Sequence, residues 1–333
     1  MRKILYLTGF FIAALVAKAT DGANSVTIGG HHLVNITAVV QTSPTTVMIN
    51  SDGQLMQLEI KSLPARFLGA WGISKTPPVL ACEPGQNHTI HLPDAVNLEL
   101  IWINPGTFTM GSPNDEAERA RDEGPQTVVT ISKGFWLEDT PVTQEQYRAV
   151  MGNNPSEFTN IGVDAPVEKV SWDEAMDFCQ SLTELERAAG HLPKGYVYTL
   201  PTEAQWEYAC RAGTTESRYG NLNNIAWFLG NNTGHTHPVA RKEPNDWGLY
   251  DMNGNVWQWC SDWYGPYHGG NVTDPVGAPP NTVRVMRGGS WDDASDYCRS
   301  ACRYWVGPDR RENYIGFRVA LSTFLSANPP SGK

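Results

Sequence analysis

From Gly213 to Pro280 the chain shows little apolar periodicity. The stretch is dense in Gly, Asn, Trp and Pro, the residues of turns and of irregular backbone organised by aromatic packing. A helix bundle needs apolar residues at a 3.6-residue period, and this segment cannot supply them. Irregular segments of such length in compact domains are functional or held by metal. The composition agrees: 12 Trp, 31 Gly and 23 Pro with only 18% charged residues describe a loop-rich compact domain, too apolar for disorder. With 333 residues there is room for one large domain or a large and a small one. The formal net charge of −10 argues against a nucleic-acid partner, because phosphate binding needs a basic face.

The N-terminus carries a positive n-region (Arg2, Lys3), an apolar run from Ile4 to Val16 and an A-x-A cleavage signal at Ala17-Lys18-Ala19. The run is short against the ~20 residues of a membrane span. An uncleaved anchor is the alternative to a signal peptide over 1–19. The expected mature protein is exported, periplasmic or extracellular, with no membrane span. Alternating residues then predict strands at Val26 to Ile28, Leu33 to Val40, Thr46 to Ile49 and Leu55 to Ile60, with Asp52-Gly53 as a hairpin signal. We expect a small all-β, SH3-like module over 24–70, a Pro-rich linker over 71–96, a large domain over 97–322 and a tail over 323–333.

Three capping boxes mark helix starts in the large domain: Thr143 with Gln146, Ser171 with Glu174, and Thr202 with Gln205. On the second helix Trp172, Ala175, Met176, Cys179 and Leu182 form an apolar stripe, and on the third Trp206, Ala209 and Cys210 do so. Short strands are expected at Val283 to Met286 and Phe317 to Leu321. The six cysteines are Cys82, Cys179, Cys210, Cys260, Cys298 and Cys302. An exported chain permits disulfides, but there is no C-x-x-C, and the Cys298/Cys302 spacing without a nearby His suits zinc poorly. G-x-S-x-G, HExxH and P-loop motifs are absent. His235 and His237 could share a metal, although loop histidines are more often solvated.

Six segments in order, "WINPGTFTMGSP" (Trp102 to Pro113), "PVTQEQYRAVMG" (Pro141 to Gly152), "PVEKVSWDEAMDFC" (Pro166 to Cys179), "LPTEAQWEYACRAG" (Leu200 to Gly213), "NDWGLYDMNGNVWQWCSDWYG" (Asn245 to Gly265) and "RVMRGGSW…NYIGFRVA", resemble the formylglycine-generating enzyme family, or sulfatase-modifying factors. The resemblance implies an α+β fold, C-type-lectin-like, with low regular secondary structure. It also implies oxidation of a sulfatase cysteine in a C-x-P-x-R motif, using oxygen and copper held by two cysteines. Those cysteines follow the Gly-Gly-Ser motif in the family. Here Gly288-Gly289-Ser290 is followed by Trp291-Asp292-Asp293-Ala294-Ser295-Asp296-Tyr297, with no cysteine; one catalytic position falls near Ser295.

Copper(I) prefers thiolates, so Cys298 and Cys302 qualify chemically as replacements. If Arg299 to Arg303 is a strand, residues 298, 300 and 302 share an inward face, which favours a structural role and makes copper unlikely. In some relatives the position of Ser300 holds a cysteine bridged to the one matching Cys210. The resemblance therefore implies a displaced bridge from Cys210 to Cys298 or Cys302. A polar pocket of Ser290, Trp291, Asp292, Asp293, Arg299 and Arg303 is the other candidate, a carboxylate beside a hydroxyl being able to act as base; Arg310 and Arg311 follow it. The resemblance further implies a calcium site on Asp251, Gly254, Val256 and Gln258, oxygen donors that suit the ion. A second family calcium site, following Asn224-Ile225, lacks its later ligands here.

Three readings follow: a family enzyme with an altered active site, a non-catalytic module presenting a Trp- and Arg-rich face to peptide or glycan, or a true sulfatase cysteine oxidase with relocated cysteines. The partner is correspondingly a sulfatase, another protein or peptide, or a glycan.

Overall fold

The computed structural model describes residues 83–323 throughout and, before them, 26–28, 31–33, 36–41, 46–52, 54–59, 63, 67 and 68. The expected signal peptide, the first part of the linker (71–82, with Cys82) and the tail beyond 323 lie outside the described residues. The chain divides into two units, one of residues 1–81 with 185–192 and one of 82–184 with 193–333. No helix among the described residues is long and apolar enough to cross a membrane.

In the smaller unit β1 (Val26–Ile28) pairs antiparallel with β2 (His31–Leu33). β3 (Ile36–Gln41), β4 (Thr46–Ser51) and β5 (Gln54–Glu59) form an antiparallel meander with β4 in the middle. Val47, Ile49 and Ser51 are buried at every second position of β4, the alternation that a one-sided sheet requires. Asp52 turns the β4–β5 hairpin in the left-handed region (φ 51°), which Asp tolerates better than most residues. The expected strand Leu33 to Val40 is divided between β2 and β3 because its two halves pair with different neighbours.

The larger unit begins earlier than its expected start at 97. β6 (His88–His91) lies within the expected linker and pairs with β7 (Asn97–Ile103), burying Ile90. Beyond these come β8 (Gly106–Met110), β9 (Thr127–Ile131), β10 (Phe135–Glu138), β11 (Val197–Thr199), β12 (Trp257–Trp263), β13 (Gly270–Thr273), β14 (Arg284–Arg287), β15 (Arg303–Val306), β16 (Ile315–Gly316) and β17 (Ala320–Ser322). They form sheets ordered β11-β17-β10-β7-β6, β15-β14-β12-β16 and β13-β9-β8.

Between the strands of residues 83–323 lie the α-helices α1 (Gln144–Met151), α2 (Trp172–Ala189), α3 (Glu203–Arg211) and α4 (Leu222–Ile225). Each predicted capping box forms: the backbone amides of Gln146, Glu174 and Gln205 donate to Thr143, Ser171 and Thr202 at 3.1–3.2 Å, and the N-cap amides donate back to Gln146, Glu174 and Gln205. Such caps contribute about 0.5–2 kcal/mol each. α3 is buried on every side, polar residues included. It carries Glu203, Glu207 and Arg211 into the interior, where each needs a charged partner.

Between Ile225 and Trp257 the described chain has no helix or strand, as the missing periodicity requires. Side-chain amides hold it instead. Asn245 accepts the amides of Trp247 and Leu249 and donates to the Ala209 and Cys210 carbonyls. Asn255 exchanges two hydrogen bonds, each 3.0 Å, with the backbone of His237.

Candidate functional site

The segment after β14 opens with two glycines in the left-handed region, Gly288 (φ 103°) and Gly289 (φ 74°). A Cβ on Gly289 would stand 2.8 Å from the Cys298 sulfur, so the chain closes over that thiol only with glycine there. Ser290 follows, fully buried, its hydroxyl donating to the Asp293 carboxylate. The Trp257 indole N–H donates to the same carboxylate at 2.8 Å. Burial pushes the Asp293 pKa up, and the Ser290 and Trp257 hydrogen bonds oppose it. Trp291 donates its indole N–H to the Asn313 carbonyl at 3.1 Å, and Asp292 is exposed. Ser290, Trp291 and Asp293 thus stitch a turn together, and a hydroxyl with no exposure offers no substrate a path.

The arginines do not join them. Arg299 donates to Glu123 at 2.6 and 2.9 Å, to Glu116 at 2.7 Å and to the carbonyls of Glu118 and Asp296. Arg303 grips Glu203 at 2.6 and 2.8 Å, with the carbonyls of Asp122 and Gly265 behind it and Tyr267 4.0 Å beneath. Arg287 reaches Glu207 at 2.5 Å and the Cys302 and Ser300 carbonyls. Burial raises the Glu203 pKa, but Arg303 and Arg287 outweigh it and hold the carboxylate below its usual range. The six-residue pocket expected from sequence is therefore not assembled: Arg299 and Arg303 are committed to buried ion pairs. Arg311 pairs with Glu174 at 2.9 Å on the surface.

The strand expected at Arg299 to Arg303 is also corrected. Ser295 to Tyr297 make a 3₁₀ turn, the Cys302 amide donates back to the Arg299 carbonyl, and β15 begins only at Arg303. Cys179, Cys210, Cys260, Cys298 and Cys302 are all buried free thiols. The implied bridge from Cys210 is absent; its sulfur meets the Ser300 hydroxyl at 3.6 Å, and a serine cannot close a disulfide. Burial pushes Cys302 up to about 12 and Cys298 higher still, so both are neutral thiols at neutral pH.

The calcium loop divides its four expected donors. Asp251 is fully buried with a left-handed backbone (φ 49°); one carboxylate oxygen accepts the Ala240 amide at 2.8 Å and the other, Oδ1, has no partner. An orphaned buried carboxylate oxygen fits a hard cation. Gly254 (φ 77°) packs so closely on the Trp227 carbonyl that a Cβ would stand 2.3 Å from it. Val256 is buried and leaves only its backbone carbonyl to offer. Gln258 does not fit. Its single side-chain oxygen accepts Trp206 Nε1 and Arg318 Nε, both at 2.7 Å, and its amide nitrogen faces the Asp251 carbonyl. Asn253, which the sequence reading passed over, is buried in the same loop with both side-chain amide atoms unpartnered.

His237 stacks on Trp227 with centroids 3.8 Å apart, and His235 and His237 share the Thr233 hydroxyl. Burial, then the nearby charges of His235 and Lys242, push His237 down to about 4. No cluster of three or more His, Cys, Asp or Glu able to hold a metal occurs among the described residues.

The large apolar side chains that this segment exposes are aromatic. Tyr297, Tyr304 and Trp305 are 37, 43 and 46% exposed. Tyr304 lies 5.4 Å from Trp257, and Trp305 5.5 Å from Tyr264. β15 is the edge strand of its sheet, so the row runs along backbone that no other described strand pairs on its outer side. The adjacent Tyr304-Trp305 pair was the available signal. Its meaning depended on where the strand begins.

A family model described as "Sulfatase-modifying factor enzyme 1-like domain" matches residues 91–323. The chain is 32% identical over 243 residues to the serine/threonine-protein kinase pkn1 of Chlamydia pneumoniae, covering 68% of this chain but only 38% of the kinase. It is 38% identical over 184 residues to the formylglycine-generating enzyme of Streptomyces coelicolor, covering 49% of this chain and 54% of that enzyme. The solved structure of Treponema denticola variable protein 1 superimposes with a TM-score of 0.63 at 31% identity, over 72% of this chain and 99% of that one. The fold is α+β and C-type-lectin-like, with three sheets in the described part of the larger unit and few helices. The chain belongs to the sulfatase-modifying factor enzyme 1-like family.

Proposed function

We propose that the protein is a binding module of this family rather than a conventional copper-dependent formylglycine-generating enzyme, and that it holds an extended peptide along the aromatic edge of β15. The observation that carries this reading is the contrast within one segment. Arg287, Arg299, Arg303 and Ser290 spend their polar groups on the protein's own interior, while Tyr304 and Trp305 face outward on an edge strand. A peptide can add to such an edge through its main chain and place alternate side chains against the rings. Aromatic rings supply large contact area at low entropy cost. Copper is disfavoured by the donor set, because Cys298 and Cys302 would each have to lose a proton inside the core. The family match also falls within proteins bearing quite different names, a kinase and a formylglycine-generating enzyme, and fold alone does not carry either activity over.

The test has two arms. The reduced protein is titrated with copper(I), then incubated with a C-x-P-x-R peptide under oxygen and the peptide weighed; we expect no stoichiometric copper and no mass change. A displayed library of extended peptides is then selected on the wild type and on a Tyr304→Ser/Trp305→Ser variant. Enrichment on the wild type alone supports the reading. Formylglycine in the peptide, lost in Cys298→Ser, or equal enrichment on both proteins, ends it.

In the same reading the protein acts outside the cytoplasm, on the strength of its n-region, apolar run and Ala17-Lys18-Ala19. Calcium, if bound, is held by the Asp251 carboxylate and the carbonyls of Gly254 and Val256, without Gln258, and serves structure by neutralising a buried acid. Chelation then lowers the melting temperature of the wild type by a few degrees and leaves Asp251→Ala unchanged. A wild-type melt indifferent to chelator removes the ion from the account.

A further inference from the structure

A cavity lies away from the segment just described. It has a volume of about 230 Å³ and, among the described residues, is lined by Asn87, Ile101, Trp102, Asn104 and Trp247. That is below the roughly 300–1,000 Å³ of pockets for drug-sized ligands, and suits a single small ring. None of these lining side chains is charged, which selects a neutral ligand.

Both indoles are braced from behind. Trp102 meets Trp136 edge-on at 4.5 Å, and Trp247 meets Tyr208 edge-on at 4.9 Å. Tyr208 is fixed in turn by its hydroxyl on the Asn104 carbonyl at 3.2 Å. The two carboxamides are oriented by Trp102 itself. Asn87 Oδ1 accepts the Trp102 amide at 3.0 Å and Asn104 Oδ1 accepts the indole N–H at 2.9 Å. With both oxygens engaged, the amide nitrogens remain to donate. Flat apolar faces, fixed N–H donors and no charge are complementary to one chemical class. A sugar ring has C–H faces that stack on aromatic rings and hydroxyl oxygens that accept hydrogen bonds. We infer that Trp102, Trp247, Asn87 and Asn104 form a binding site for a neutral saccharide ring, separate from the aromatic edge of β15 and independent of the peptide reading.

The experiment is saturation-transfer NMR with intrinsic-fluorescence titration of the whole protein against glucose, galactose, mannose and N-acetylglucosamine, with glucuronate as the charged counterpart. We expect at least one neutral sugar to bind with a Kd on the order of 1 mM, the affinity that ordinary efficiency per atom allows so small a ligand. Trp247→Ala should weaken it at least tenfold. Asn87→Ala should weaken it severalfold, and because Asn87 is exposed that variant keeps its fold if the tryptophan variant does not. Tyr304→Ser/Trp305→Ser should leave the sugar affinity unchanged. Absence of saturable binding by every neutral sugar, preference for glucuronate, or equal affinity in the wild type and Asn87→Ala would overturn the assignment. Loss in the β15 variant would place the sugar on the other surface and overturn it as well.

Discussion

Arg303 and Tyr304 are neighbours in the chain and opposites in the fold. Arg303 is 5% exposed, forked onto Glu203 and stacked on Tyr267; Tyr304 is 43% exposed on the other side of the same strand. The alternation of β15 turns Arg303 inward to Glu203 and Tyr304 outward, while Trp305 returns to the Arg303 side and packs on Tyr264 with 46% of its surface still exposed. The interior is built around α3. Glu203 and Glu207, one helical turn apart, take Arg303, Arg287 and Arg211 from three directions. Chemistry-bearing residue types therefore mark the buried part of this segment, and the bland aromatic pair marks its exposed part.

The comparison breaks most violently at Glu207. Glu207→Ala leaves Arg211 buried without its acid and Arg287 with only Glu203 at 3.5 Å, and removing one partner of a buried pair costs about 3–5 kcal/mol. For a domain of this size that is a fall of roughly 10 °C in melting temperature, read by calorimetry. A fall of a degree or two would mean that the ionic interior is not structural.

A smaller effect sharpens the interior's own asymmetry. Asp262 is buried beside Glu203; burial first, and then the Glu203 charge, push its pKa up to about 7. The folded state binds this proton more tightly than the unfolded state, whose carboxyl titrates near 4. Asp262 stabilises the fold fully below pH 4, and that contribution declines as pH rises to about 7 and is then constant. Asp262→Asn should remove that decline, so the wild type and the variant diverge by a few degrees between pH 4 and 7. Parallel melting curves across the range would show that Asp262 ionises normally.

The smallest effect is expected outside. Tyr304→Ser with Trp305→Ser should change the melting temperature by no more than a few degrees, since both rings are already half in water. Arg311→Gln, which breaks only an exposed pair with Glu174, should cost less than about 1 kcal/mol. A loss at Trp305 as large as that at Glu207 would make the aromatic row part of the core and erase the distinction.

Helix starts were legible because capping is local: Thr143, Ser171 and Thr202 each find their partner three residues on. The lack of regular structure around Asn245 and Asn255 was legible for the same reason, in composition. The strand boundary at Arg303 was not, because the tight turn from Ser295 to Cys302 is imposed by Gly289 closing over Cys298 and by Arg299 reaching Glu123, far away in the chain. Gln258 likewise matches a calcium ligand by position, and only the arrival of Trp206 and Arg318 at its oxygen withdraws it.

The sequence by itself determined the family, the loop-rich α+β architecture and the inward stripe of α2, since motif order, capping and periodicity act over a few residues. The tertiary structure alone decided which arginines are spent inside, that the five buried cysteines form no disulfide, and that Tyr304, Trp305, Trp102 and Trp247 reach the surface. Those outcomes depend on partners a hundred or more residues away in the chain, such as Glu203 for Arg303 and Tyr208 for Asn104, which meet only once the sheets have formed.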